Sequence, residues 1–238
     1  MKKFGFLVFV PVFVVSFIAA DFAHSQVHTL TAGSGSVLPG GNVDIGISLS
    51  NDEAARGFSL GVAHSGSDLT LISIGPGQET AGANGGTGPD FEFVNLTPSE
   101  GPGGTYACIL STAAPLEEIP VGTDNEIASF TYSCASAAAP GSSTTLSFSS
   151  ILGTPDVQTV ISVVSGGNSL SRVPATVSGS VSVATPPVSG LSCVLSDPCL
   201  CDFSLSWVNG MTYDSIEILD GTGAVIQTLG GTATTALV

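Results

Sequence analysis

Apolar and polar residues alternate in short runs along most of this chain, and no stretch has the period of a helix. The clearest run has Val43, Ile45, Ile47 and Leu49 at every second position, with polar residues or glycine between them. Such a run fits a strand with one buried face and one solvated face. The alternation therefore predicts an all-β fold.

Further runs of the same kind indicate strands near 58–62, 69–74, 91–96, 106–110, 127–134, 145–149, 157–164, 169–173 and 177–183. Residues 75–90 are rich in Gly and are expected to form a long loop. A first module of 26–185 with about nine strands is large enough for two sheets to bury a core between them. We therefore predict an antiparallel jelly-roll β-sandwich.

A second module, 186–238, begins at Pro186-Pro187, because consecutive prolines stiffen a linker and cannot continue a central strand. Alternating Phe203, Leu205 and Trp207 indicate one of its strands. We expect four strands there, too few for a complete sandwich. The second module is interpreted as a partial, truncated immunoglobulin-like or fibronectin-like sandwich.

Residues 1–25 are typical of a bacterial Sec-type signal peptide, because Lys2 and Lys3 precede an uncharged apolar stretch and a small-residue site that ends at Ser25. The apolar stretch contains Pro11 and is shorter than the run of about 20 residues that spans a bilayer. Retention as an anchor is the alternative. We expect cleavage, no membrane insertion of the mature chain, and a location outside the cell or at its surface.

The chain from residue 26 onward is strongly acidic, since it contains no lysine and only Arg56 and Arg172 against 18 Asp and Glu residues. Nucleic-acid binding needs clustered Lys or Arg that displace counterions from phosphates, so nucleic acid is excluded as a partner. Solubility in a salty medium is the simplest interpretation of the acidity. Calcium, neutral polysaccharide and other proteins remain possible partners.

Five cysteines in an exported chain indicate disulfides, and the odd number leaves at least one unpaired. Cys108 and Cys134 share the parity of apolar neighbours, so both are expected to point inward. If their strands are neighbours, a Cys108–Cys134 bridge closes a 27-residue loop and stabilises by roughly 3 kcal/mol. Two buried free thiols are the alternative. Cys193 is expected to pair with Cys201 or Cys199, which the sequence does not decide.

Catalytic groups are sparse. After the signal, only His28 and His64 supply imidazoles, and His64 continues a core-facing row of its strand. Glycoside hydrolysis needs two carboxylates across a cleft, and Glu117 with Glu118 or Asp90 with Glu92 could supply them. Adjacent acids on a strand point to opposite faces, however, and Glu117 and Glu118 lie in an expected loop. We therefore expect a protein that is not an enzyme, with an unrecognised hydrolase as the remaining alternative.

Calcium is the one metal that the sequence leaves open, because carboxylate and amide oxygens are abundant while zinc-type spacings of His and Cys are absent. Candidate ligands are Asp52, Asp90 and Asp124. A solvated turn is the alternative at each position. No other cofactor is expected.

Two segments of the first module have a distinctive order of turn and strand: V-L-P-G-G-N-V-D-I-G-I-S-L-S-N from Val37 to Asn51, and I-P-V-G-T-D-N-E-I-A-S-F-T-Y from Ile119 to Tyr132. They resemble cohesin-like domains, jelly-roll sandwiches related to some cellulose-binding modules. Cohesins recognise dockerins, which are calcium-loaded helical modules, through one sheet face. The resemblance therefore implies a dockerin-like protein partner, without assigning contact residues.

In the second module, V-S-G-L-S-C and S-L-S-W-V-N-G are similar to the first strands of a fibronectin type III domain, with Trp207 as the expected core tryptophan. The family's last strands are missing, and extra cysteines are present. Such modules commonly lie beside cohesin or carbohydrate-binding domains in exported bacterial proteins. The resemblance thus implies a role in polysaccharide catabolism.

These observations predict an exported, non-catalytic binding or scaffolding protein that recognises its partner through a sheet face or the 75–90 loop. The partner is expected to be a dockerin-like module or a polysaccharide. A carbohydrate-binding module of a polysaccharide-degrading system is the alternative function.

Overall fold

In the computed structural model the described residues are 27–165, 168–186, 189–197 and 202–238, with the backbone alone described at 195–197, 202 and 203. The predicted signal peptide lies outside the described residues. Two short helical turns, α1 (Gln78–Ala81) and α2 (Ala83–Gly86), accompany a series of strands. Among the described residues, no helix has the length and apolar character needed to cross a bilayer. The predicted all-β class is confirmed.

The strands are β1 (Thr29–Ala32), β2 (Gly35–Val37), β3 (Asn42–Asn51), β4 (Ala55–His64), β5 (Leu69–Pro76), β6 (Phe91–Asn95), β7 (Gly103–Ile109), β8 (Gly122–Cys134), β9 (Ser143–Phe148), β10 (Val160–Ser165), β11 (Asn168–Arg172), β12 (Ala175–Val177), β13 (Gly179–Val183), β14 (Ser189–Asp197), β15 (Asp202–Val208), β16 (Ser215–Leu219), β17 (Val225–Gly230) and β18 (Thr235–Leu237).

Strands β1 to β13 form two sheets. The smaller sheet has the order β12-β1-β3-β8-β5. In the larger sheet, β4 is paired along one edge with β10 and β9 and along the other with β7, which in turn pairs with β6. Most neighbours are antiparallel, but β1 with β12 and β2 with β13 are parallel. The expectation of a wholly antiparallel sandwich is corrected at these two pairs, where the chain returns beside its first strands in the same direction.

The core lies between these two sheets and follows the alternation seen in the sequence. Ile45, Ile47 and Leu49 of β3 face Leu60 and Val62 of β4, and all five are almost completely buried. Burying each such side chain stabilises the fold by about 1.5–3 kcal/mol. The inward side chains of β3 and β4 thus determine which face of each sheet lies in the core and which faces solvent.

The 75–90 segment is fastened to both sheets. Thr80 is completely buried, and its hydroxyl donates to the carbonyl of Ile127 on β8 at 2.8 Å. The amide of Asn84 donates to the carbonyl of Leu110, just after β7, at 2.8 Å. The segment expected to be an irregular loop is therefore an anchored connection that sets the start of β6.

The strands after residue 188 form two further small sheets, β14-β15-β18 and β16-β17. Trp207 is buried, and its indole N–H donates to Oδ1 of Asn209 at 2.8 Å. Strand β18 adds to the strands expected from the sequence. The likeness of this segment to a fibronectin type III domain stays a prediction.

The premise of the Cys108–Cys134 bridge is wrong, because β7 belongs to the larger sheet and the end of β8 to the smaller one. Both thiols are buried and free. Burial, helped by the charge of Glu92, raises the pKa of Cys108 to about 12. In the second segment Cys193 has an exposed free thiol, and its expected partners at 199 and 201 lie outside the described residues.

Candidate functional site

The alternation of side chains along β7 determines which of them lie on the outer surface of the larger sheet. Tyr106 and Cys108 of this strand are buried, so Ala107 and Ile109, which lie between and after them, point away from the core. Ile109 is 45% exposed although it is a large apolar side chain in a regular strand.

Two rows of outward side chains cross the sheet at this level. In the first row Ile109 lies between Phe91 of β6 and Gly57 of β4, and in the second Ala107 lies between Phe93 and Ser59. Strand β10 continues both rows. We call this surface the open face, which consists of Phe91, Phe93, Ala107, Ile109, Gly57, Ser59, Val160, Ser162 and Val164.

The open face is flat at its centre because Gly57 has no side chain. A Cβ atom at this position would lie 2.5 Å from the carbonyl oxygen of Cys108 on the neighbouring strand, so the two backbones approach too closely for any other residue. The far end of β4 is different, since Ser149 and Leu152 pack over Gly61 and cover the sheet there. Along β4, the open face is therefore the part of the outer surface that these residues leave uncovered.

Apolar side chains remain accessible along one side of the open face. Phe91 is 50% exposed and Phe93 is 48% exposed, while Leu116 of the loop after β7 is 44% exposed. Arg56, Leu116 and the open face together enclose a shallow depression of about 470 Å³. Contiguous exposed apolar surface on a folded protein commonly marks an interaction site.

Strand β6 is held by a contact from the core. The hydroxyl of Tyr106 donates to the carboxylate of Glu92, and the Tyr106 ring packs against Phe58 with ring centroids 5.6 Å apart. Burial and this hydrogen bond raise the pKa of Tyr106, so the phenol stays a donor. Glu92 is thereby tied to the core, while Phe91 and Phe93 are presented outward.

Charge is confined to the rim of the open face. The guanidinium of Arg56 donates to one oxygen of Glu118 through two hydrogen bonds of 2.8 and 2.6 Å. At the start of β6, Asp90 accepts hydrogen bonds from the backbone N–H and the hydroxyl of Thr112, which hold the pKa of Asp90 below its usual value. An arrangement of this kind suits a contact with an apolar centre and a polar rim.

The three candidate calcium ligands lie in different environments. Asp52 accepts the backbone N–H of Val27 at 3.0 Å, whereas Asp90 is held by Thr112 as described. Asp124 has a left-handed backbone with φ of 57° and its N–H donates to the hydroxyl of Ser50. Among the described residues, no group of three or more His, Cys, Asp or Glu side chains is placed to hold a metal ion. Calcium binding by this chain stays a prediction.

Both imidazoles that follow the predicted signal are buried. His28 lies between two carboxylates, with Nδ1 3.8 Å from Asp52 and Nε2 3.4 Å from Glu53. His64 ends the inward row of β4, and burial lowers its pKa. The core position expected for His64 is confirmed.

Sequence reasoning expected recognition through a sheet face or the 75–90 loop, but it did not identify the open face as that surface. The inward parity of Tyr106, Cys108 and Leu110 already implied that Ile109 points outward. Which strands lie beside β7, and therefore that Phe91 and Phe93 join Ile109, requires the sheet order.

Comparison with known proteins finds likeness among solved structures alone: no family model matches the chain, and no curated protein matches it. The sixth cohesin of scaffoldin B from Acetivibrio cellulolyticus, solved with a Cel5 dockerin, is 18% identical with a TM-score of 0.51, covering 66% of this chain and 99% of that one.

Two further structures are similar. The OlpA cohesin of Clostridium thermocellum, solved with dockerin Doc918, is 13% identical with a TM-score of 0.51 and covers 66% of this chain and 99% of that one. The seventh ScaB type I cohesin of Pseudobacteroides cellulosolvens is 16% identical with a TM-score of 0.50 and covers 68% and 95%. At these identities the likeness concerns the fold, and the chain contains a β-sandwich of the cohesin-like kind.

Proposed function

We propose that this chain is a non-catalytic recognition protein that binds a folded protein module through the open face. The observation that carries the proposal is the row of exposed apolar side chains, Phe91, Phe93 and Ile109, on a sheet surface made flat by Gly57. Burying these side chains against a partner removes apolar area from water, which favours association.

The outer surface of the smaller sheet provides an internal comparison. Its outward residues on β3 and β8 are mainly small and hydroxylated, as at Ser48, Ser129 and Thr131, and Thr131 donates to Asp44 at 2.6 Å. Both outer surfaces belong to the same sandwich, yet only the open face has large apolar side chains across neighbouring strands. This difference favours the open face as the recognition surface.

A dockerin-like module is the proposed partner. The similar structures with TM-scores of 0.51 are cohesins solved in complexes with dockerins, and the sequence resembles the same class of domain. In this proposal a calcium requirement arises from the helical partner. A polysaccharide ligand is the competing outcome.

The test compares two matched variants. Ile109→Asp places a carboxylate in the centre of the open face, whereas Ile72→Asp places one at a bulge in β5 of the smaller sheet, and the two isoleucines are 45% and 43% exposed. Loss of an interface anchor costs about 2 kcal/mol or more, which is about 30-fold in affinity.

The binding partners for this test are purified type I dockerins with calcium and with chelator, and insoluble polysaccharides. We expect calcium-dependent dockerin binding that Ile109→Asp weakens at least about 30-fold and Ile72→Asp leaves unchanged. Retention on polysaccharide with no dockerin bound, or equal losses in both variants, would contradict the proposal.

We also propose that the protein acts outside the cell, as the signal-like residues 1–25 imply. Expression in a bacterium followed by N-terminal sequencing of the secreted protein tests this. A mature chain that begins at Gln26 is expected. An uncleaved, membrane-bound product would contradict it.

A further inference from the structure

A second cavity lies far along β4 from the open face, at the end of the sandwich. It has a volume of about 440 Å³ and is lined by the last residue of β4, His64, the first residues of β5, and the 96–103 segment that connects β6 to β7. Small-molecule sites in proteins commonly have volumes of about 300–1,000 Å³.

The floor of this cavity is apolar and tightly built. Leu71 of β5 lies against the backbone of β7, because a Cβ atom at Gly104 would be 2.4 Å from Cδ2 of Leu71. Leu69 and Leu96 line the cavity beside it. This surface suits the C–H face of a ligand.

A buried imidazole adds a polar group to that floor. His64 is 8% exposed, and its Nδ1 has no hydrogen-bond partner among the described residues. Its ring is nearly perpendicular to that of Tyr132, with centroids 5.6 Å apart, and Tyr132 lies in the core outside the lining of the cavity. Buried polar atoms without partners are rare in folded proteins, so a ligand hydroxyl that reached this imidazole would pair a group that the described residues leave unpaired.

The lining contains no ionised side chain. Burial lowers the pKa of His64, so at neutral pH its imidazole is uncharged, with one donor and one acceptor nitrogen. Glu100, in the middle of the wall segment, is turned away and accepts the backbone N–H of Gly153 at 2.8 Å and the hydroxyl of Thr154. Thr70, Thr97 and Ser99 are the hydroxyl-bearing residues of the lining.

We propose that this cavity binds a neutral pyranose unit, with His64 hydrogen-bonded to a sugar hydroxyl. A pyranose offers an apolar C–H face for Leu71 and Leu96, several hydroxyls for the imidazole and the threonines, and no charge. Because the cavity is separate from the open face, this inference does not depend on the proposed protein partner.

The test is an NMR titration of the whole chain, with labelled leucine and isoleucine methyl groups and labelled histidine rings. The probes are methyl β-D-glucopyranoside and methyl β-D-galactopyranoside, and cyclohexanol serves as an apolar ring of similar size. We expect at least one glycoside to give saturable shifts of the Leu69, Leu71 and Leu96 methyl groups and of the His64 ring nitrogens. Ile109, on the open face, should not respond.

His64→Phe keeps the ring contact with Tyr132 and removes the polar atoms, so glycoside affinity is expected to fall roughly fivefold, the effect of one lost hydrogen bond. Ser162→Ala on the open face is the control and should bind as the unchanged chain does. If His64→Phe does not fold, the His64 ring nitrogen shifts in the unchanged chain decide. Saturation by cyclohexanol but by neither glycoside, unshifted His64 nitrogens, or unchanged affinity in a folded His64→Phe variant would overturn the proposal.

Discussion

Two buried tyrosines allow a sharp test of how polar groups contribute to the stability of this sandwich. The rings of Tyr106 and Tyr132 are both completely buried. The hydroxyl of Tyr106 donates to the carboxylate of Glu92, whereas that of Tyr132 has no partner among the described residues. Replacing each with Phe removes one hydroxyl from an otherwise similar setting, so unequal effects on the free energy of unfolding are expected.

The expected magnitudes follow from these contacts. Tyr106→Phe loses a hydrogen bond to a charged group, worth about 1.5–3 kcal/mol, and we expect about 1–2 kcal/mol because Glu92 is exposed. Tyr132→Phe removes a desolvated hydroxyl that costs about 1–3 kcal/mol when unpaired, so it should be neutral or stabilising by about 1 kcal/mol.

The assay is urea and thermal unfolding of both variants, followed by far-UV circular dichroism in the absence of glycosides. A change of 1 kcal/mol shifts the melting temperature of a protein of this size by about 2–4 °C, so a difference of about 1–3 kcal/mol between the two variants corresponds to roughly 2–12 °C. If Tyr132→Phe destabilises as much as Tyr106→Phe, the Tyr132 hydroxyl has a partner and the reasoning is refuted.

Two further predictions concern titration and thiol chemistry. Hydrogen bonds from Ser99 and Thr154 lower the pKa of Glu100 from 4.5 to about 2. Since this carboxyl has a lower pKa in the folded protein than in the unfolded one, its stabilising effect is present above pH 4.5 and is lost as the pH falls towards 2. Glu100→Gln should therefore speed limited proteolysis of the 149–157 segment, relative to the unchanged chain, at pH 7 but not near pH 2. The same ratio of variant to unchanged rate at both pH values would contradict this. In the reduced protein, iodoacetamide at pH 8 should label exposed Cys193 and leave buried Cys108 and Cys134 unmodified until urea is added, as mass spectrometry of the peptides would show. Early labelling of Cys108 would contradict its burial and raised pKa.

The strands with long alternation were predictable from sequence because burial on one face imposes a period of two. Residues 42–51 and 55–64 illustrate this, since their inward side chains are the apolar ones. Strands β1 and β2 were not predicted, because Thr29–Ala32 and Gly35–Val37 are too short for a pattern to emerge. Likewise β8 begins at Gly122, before its apolar part, since its first residues are polar and pair with the end of β3.

The alternation of side chains along one strand does not reveal which strand lies beside it. This limit explains why the Cys108–Cys134 bridge was wrongly expected and why the open face was not identified. Cys108 and Cys134 do point inward, yet they lie in opposite sheets. Ile109 points outward as parity requires, but its proximity to Phe91 and Phe93 comes from the pairing of β6 with β7. Long-range sheet order, set by packing of the whole sandwich, is what the local pattern lacks.

The central claim is that the open face is the surface that contacts a partner protein. Hydrogen–deuterium exchange of the chain, alone and saturated with a dockerin that it binds, tests this most directly. We predict slower exchange in β6, β7 and β10 and unchanged exchange in β3 and β8. Protection confined to the smaller sheet or to residues after 188 would contradict the account.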